Sequence, residues 1–365
     1  MHPSKLRITP LQLAMLLIPG IASTAILGLP AVTVTFARQD AWLAPLAAAP
    51  AAALVIWIAG RLAQRFPGET FIEYAPRVLG TVPGKIAGFL LFWYFFHLDA
   101  AIAREYADFL IATTIPRTPL AAILAISALV TGLAVRYGPE ILGRLGELFT
   151  PGAIVTVLLV IALTAPQMDL HLLQPSLEYG IQPVLTAALA TQAFMGQFVL
   201  LLVLLPSVNR LSDGIRASYW ALAVIAFAVT LVTLAALAAF GPMASRFTWP
   251  FLKVARIATI GPIVARIDPL VIALWIGGCN LKIAVHLYAA TVCFAQLFGL
   301  RDYRPLVLPM AALLAAYAVG HFENFVEHGY MLTYFWPPYT QLFHLVIPGM
   351  VLAVAAARRM GVRQR

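Results

Sequence analysis

Residues 11–36 read LQLAMLLIPGIASTAILGLPAVTVTF, and residues 183–208 read PVLTAALATQAFMGQFVLLLVLLPSV. Each run is long enough to cross a bilayer, which takes about 20 apolar residues. Each is also interrupted near its centre, the first by Pro19-Gly20 and the small polar pair Ser23-Thr24, the second by Thr191, Gln192, Gly196 and Gln197. Irregular backbone at bilayer depth is tolerated only where it is buried in protein or lines a cavity. Discontinuous helices at matching places in two halves of a chain point to a transporter-type binding site. The expectation is therefore that both runs are broken helices and that their breaks face one another.

Composition supports a membrane bundle. The chain has 365 residues, of which 62% are hydrophobic and 11% charged, with a mean hydropathy of +0.89. A soluble domain carries roughly 25% charged residues, so lipid must be the solvent for most of this surface. Hydropathy predicts an all-α membrane protein with ten spans, at about 11–36, 42–64, 86–112, 119–135, 147–165, 183–208, 216–241, 268–298, 305–320 and 332–357, forming a single integral domain 1–365. Spans one to five and six to ten make two halves, and an odd number of crossings in each gives them inverted topology. Residues 249–266 alternate apolar and basic positions, which predicts an amphipathic helix over the outer mouth.

The net charge is +9. The basic residues are not gathered on one polar segment, which argues against nucleic acid. Their distribution is topogenic. With both termini in the cytoplasm, sixteen Lys and Arg fall on inner segments, six on outer ones, and Arg104 and Lys282 inside spans. That bias fits an even number of crossings. Cys279 and Cys293 lie about 21 Å apart along one helix, too far for a disulfide, and two thiols are too few for a metal centre. No metal or cofactor is expected. No HExxH, GxSxG or P-loop pattern occurs, so an enzyme is not expected.

Charges in mid-span are costly and are functional hypotheses by default. Lys282 sits near the middle of span 8, and two readings stand. Its ammonium replaces a coupling ion between helices or exchanges a proton, or it is a structural lysine paired with a carboxylate or free carbonyls. Asp99, in mid-span 3, needs a donor, and Lys282 is the partner we favour. His97, Arg104 and Asp108 share one face of span 3 within about 40°. Arg104 and Asp108 form an i,i+4 pair that either serves the mouth or locks helices together. His97 is either proton-responsive or a hydrogen-bonded core residue. The two breaks suit a zwitterion, because half-helix N-termini attract a carboxylate and free carbonyls an ammonium. Gly20, Ser23, Thr24, Thr191, Gln192 and Gly196 would supply a small, neutral lining.

Several stretches together resemble the spore-germination GerAB family. These are TAILGLP at 24–30 followed by Asp40 and Trp42, AREYADF at 103–109 running into PRTP at 116–119, GPEILGR at 138–144 with Glu147, and Arg266, Asp268, Trp275, Lys282 and Tyr288 in and before span 8. The resemblance covers nearly the whole chain. It implies the amino acid–polyamine–organocation transporter fold, five plus five spans with helices 1 and 6 broken. It further implies the B subunit of a nutrient germinant receptor in the spore inner membrane, sensing a small amino acid beside an A subunit and a lipoprotein C subunit. An active, proton-coupled amino-acid transporter is the alternative. Residue by residue, the ligand-facing backbone of the family maps onto Gly20, Ile21, Ala22, Ser23 and Thr24, and onto Thr191, Gln192, Phe194 and Gly196. Many members carry Gly-Thr where this chain has Ser23-Thr24, which implies a pocket of different size.

Overall fold

A computed structural model describes residues 7–258, 267–322 and 325–361. In chain order its helices are α1 (Pro10–Ala37), α2 (Ala44–Arg65), α3 (Phe71–Leu79), α4 (Thr81–Thr113), α5 (Leu120–Tyr137), α6 (Pro139–Thr164), α7 (Gln182–Met195), α8 (Leu201–Leu204), α9 (Leu211–Phe240), α10 (Pro250–Ile257), α11 (Asp268–Leu297), α12 (Arg304–Gly320), α13 (Phe325–Tyr330), α14 (Trp336–Gln341) and α15 (Ile347–Ala357). Among the described residues there is no β-strand, only an isolated bridge between Ile8 and Val208. Among the described residues eight runs are long and apolar enough to cross a membrane, the first of them, Pro10–Arg65, containing both α1 and α2. Arg304–Gly320 is a shorter apolar helix.

The helix ends follow local chemistry. Thr9 caps α1 with a capping box: its hydroxyl accepts from the Gln12 amide at 3.1 Å, and the Gln12 side chain accepts from the Thr9 amide at 3.0 Å. The Ile8 amide donates to the Ser207 carbonyl at 2.9 Å, and the Asn209 amide to the Ile8 carbonyl at 3.1 Å. The start of span 1 is thereby tied to the end of span 6. Pro139 pre-sets the first turn of α6, so this helix begins before the expected 147, and Glu140, Arg144 and Glu147 lie within it rather than in a loop. The loop after α2 contains the amphipathic α3, whose Thr70 and Glu73 form a second capping box.

The core is layered by burial. The most apolar window of span 6 is 94% buried, that of α6 only 28%. Span 6 is therefore enclosed by protein, and α6 faces lipid. Helix α1 is also central and packs against α6, α7, α9 and α11. The close passage of α6 requires Gly146, since a Cβ there would sit 2.8 Å from the Met15 carbonyl carbon and oxygen.

Three expectations are corrected. Span 1 is not broken, because α1 winds without interruption from Pro10 to Ala37 through Pro19 and Pro30. Proline at 19 has no N–H for the Met15 carbonyl. The Thr150 hydroxyl of α6 donates to that carbonyl at 2.6 Å. The Ser23 hydroxyl turns back to the Pro19 carbonyl at 2.7 Å. The polar residues that suggested a gap thus satisfy the helix they sit in. Span 6 is irregular, tightening into a 3-10 turn over Gly196–Leu200 between α7 and α8. The last span begins earlier than 332, and two π-helical stretches, Met331–Phe335 and Leu342–Val346, each run up to its prolines, Pro337 and Pro338 at the start of α14 and Pro348 at the start of α15. The amphipathic helix expected at 249–266 is the short α10, which ends at Ile257; residues 259–266 lie outside the described residues.

Candidate functional site

The polar atoms of the bundle centre converge on α1 from its neighbours. Lys282 of α11 is fully buried. Its ammonium donates to the Ile21 carbonyl at 3.1 Å and to the Thr24 hydroxyl at 2.8 Å. Two turns earlier on the same side, the Trp275 indole donates to the Ser23 carbonyl at 2.7 Å. Gly278 leaves room for Ser23, whose hydroxyl lies 2.8 Å from where a Cβ on Gly278 would stand. Gly20 meets Val285 of α11 in the same manner, 3.3 Å from its would-be Cβ. Gly20, Ile21 and Ser23 therefore face α11, and side chains of α11 hold the Ile21 and Ser23 carbonyls. Ala22 and Ser23 also line an apolar crevice of about 140 Å³ between α1, α6, α9 and α11.

Asp99 does not pair directly with Lys282. Both its carboxylate oxygens are buried without a hydrogen-bond partner among the described residues, although the two charges interact electrostatically. The reason is geometric: the ammonium is drawn to α1, whose carbonyl and hydroxyl lie within bonding distance. The outer part of α4 is organised differently. Arg104 holds both oxygens of Asp108 at 3.1 Å and donates to the carbonyls of Val319 and Phe322 at 3.0 and 2.8 Å. A guanidinium thus caps the carbonyl end of α12 and fastens it to α4. His97 bonds the Tyr339 hydroxyl at 3.1 Å and stacks on Trp93.

In span 6, the Thr191 hydroxyl bonds back to the Ala187 carbonyl at 2.9 Å. Gln192 is buried, and neither end of its amide has a partner among the described residues. Gly196 opens the 3-10 turn, and the His344 ring of the second π stretch fills the space its missing side chain leaves. A Cβ on Gly196 would lie 2.7 Å from both Cγ and Cε1 of that ring. The Tyr94 hydroxyl and His344 Nε2 share a hydrogen bond at 2.6 Å.

Thr24 and Phe194, one from each of the two runs that opened the sequence reading, meet in a chamber of about 240 Å³. Gly28, Glu105, Arg246, Trp249 and His328 are also part of its wall. Glu105 was not singled out from the sequence. Counting charges on span 3 shows that one arginine, Arg104, cannot serve both Asp108 and Glu105, but not which of the two is left over. Glu105 is 7% exposed, and its charge interacts with that of Lys282.

Such a bundle, with a polar chamber walled by the first and sixth spans, defines a membrane transport protein fold, and solved structures share it. MhsT in complex with L-phenylalanine superposes with a TM-score of 0.65 at 15% identity, covering 94% of this chain and 88% of that one. Mhp1, a nucleobase-cation-symport-1 family transporter in a closed conformation with bromovinylhydantoin bound, gives 0.68 at 13% identity, with 98% and 80% covered. The family pattern described as Spore germination protein, or spore permease, matches residues 7–326, and the chain belongs to that family. Its relatives include spore germination protein KB of Bacillus subtilis (strain 168), 27% identical over 335 residues with 89% of each chain covered. Another is spore germination protein YndE of the same organism, 24% identical over 297 residues, with 80% and 81% covered. The family and fold are those of permeases and transporters, not enzymes, and the chain is a multi-pass membrane protein.

Proposed function

We propose that this chain is the B subunit of a spore nutrient-germinant receptor and that it binds a small amino acid in the chamber between α1, α4 and α7. The observation that carries the reading is the meeting of Thr24 and Phe194 in one hollow, beside the 3-10 turn Gly196–Leu200 in the middle of span 6. The germination family supplies the biological setting. Two neighbours of this fold are solved with small organic ligands, L-phenylalanine and bromovinylhydantoin. Binding would favour one arrangement of the bundle over another, and A and C subunits would read that change. The site residues are Thr24 and Phe194, with Gly196 shaping the turn behind them and the buried Gln192 two positions before Phe194. The sixteen-to-six bias of basic residues supports cytoplasmic termini in the spore inner membrane.

Lys282 favours sensing over ion-driven transport. Its amine is hydrogen-bonded between α11 and α1, where a covalently attached group stands in place of a dissociable ion. A helix pair closed in this way needs no ion to close. Purified protein in liposomes tests the reading. Saturable binding of an amino acid without flux is expected; uptake against a concentration gradient would replace the sensor with an active permease.

A further inference from the structure

We infer that Glu105 recognises a protonated amine on the chamber's ligand, an inference that rests on the amino-acid reading above. Four observations carry it. The Glu105 carboxylate is more than nine-tenths buried and lines the chamber. Glu105 Oε1 lies 3.8 Å from where a Cβ on Gly28 of α1 would be, so the carboxylate reaches the wall that also holds Thr24. Among the described residues it accepts no hydrogen bond and joins no ion pair, whereas its sequence neighbour Arg104 is committed to Asp108. Lys282, the nearby cation, spends its hydrogen bonds on Ile21 and Thr24.

A carboxylate enclosed in this way is costly unless donors reach it. An ammonium brings three donors and the compensating charge. Arg246 lines the same chamber and supplies a guanidinium suited to a carboxylate. One acid and one permanent cation in a single hollow match a zwitterion, with the amine end set by Glu105. Asp99 is also unpartnered, yet it does not line this chamber, and so it is not offered to a ligand there.

The test uses the full chain in detergent and titration calorimetry. The probes are the amino acid that raises the melting temperature most in a screen of the common ones, its 2-hydroxy analogue, its N-acetyl derivative, and propylamine. A charged hydrogen bond lost corresponds to about tenfold to a hundredfold in affinity, so wild type should prefer the amino acid to its hydroxy analogue by that factor. Glu105→Gln should erase the preference, and Glu105→Asp should keep it at weaker affinity. A folded Glu105→Gln protein that retains the wild-type preference overturns the inference. If Glu105→Gln does not fold, wild type decides: N-acetyl derivative and free amino acid binding equally well overturns it. If no amino acid binds wild type, the amino-acid reading falls by itself. Amine recognition then stands if propylamine binds, and falls if it does not.

Discussion

Gly196→Ala separates two opposing effects whose sizes can be worked out. Replacing glycine by alanine within a helix ordinarily stabilises by about 0.5–1 kcal/mol. Here the added methyl meets the His344 ring at 2.7 Å from two of its carbons, against a comfortable separation of about 3.5–4.0 Å. The ring must retreat by about an ångström, yet its Nε2 is held at 2.6 Å by the Tyr94 hydroxyl and its edge stands on the Tyr94 face. Overpacking costs about 1–3 kcal/mol, and weakening that hydrogen bond about 0.5–1.5 kcal/mol more. The clash outweighs the helix gain, so the variant should lose about 0.5–4 kcal/mol. His344→Ala alone should also destabilise, by about 2–4 kcal/mol, through the emptied volume and the stranded Tyr94 hydroxyl. In the double variant the new methyl enters the vacated space, and the combined loss should fall short of the sum by about 2 kcal/mol. Reversible unfolding in detergent micelles measures all four proteins. Additivity within about 0.5 kcal/mol would refute the contact between the sixth and last spans.

Lys282→Met keeps the length of the side chain but strands the Ile21 carbonyl and the Thr24 hydroxyl, with an expected loss of about 2–5 kcal/mol; Lys282→Ala should lose about 2 kcal/mol more through the hollow it leaves. Unfolding midpoints unchanged in both variants would show that the ammonium does not hold α1. Thr150→Val removes the donor that serves the Met15 carbonyl beside Pro19 and should cost about 1 kcal/mol, read by the same unfolding assay; a wild-type midpoint would mean that this carbonyl is served in another way.

Much of the bundle could be read from residue order alone, because lipid imposes a length and a hydropathy that few other settings share. The Thr9 cap and the capping box of α3 rest on neighbours three positions apart, whereas α6 starts at Pro139, ahead of the 147 expected from hydropathy. The state of span 1 did not follow. Pro19 with Ser23-Thr24 describes a gap or an intact helix equally well, and the deciding donors, Thr150, Trp275 and Lys282, come from more than a hundred residues away. The same distance hid the partner of Lys282, since a carbonyl on another helix leaves no mark in the sequence, whereas a carboxylate such as Asp99 does. Thr24 and Phe194 could be singled out as small-polar and aromatic members of the interrupted runs. Glu105 could not be distinguished from Asp108 without knowing which of them Arg104 holds. The π stretches of the last span have no pattern of their own; only the prolines at 337, 338 and 348 hinted at irregularity.

Those two wide turns give the last span an adjustable phase. Each closes around five residues where a regular turn closes around four, so one surplus residue is absorbed without lengthening the rod. Deleting a residue within 342–346 would restore ordinary winding with both flanks kept at their present orientation. A different side chain would then confront Gly196, and the lipid-facing exterior on either side would stay in register. Single-residue gain or loss, ruinous in most crossings, becomes at this place a way to exchange what leans on the sixth span.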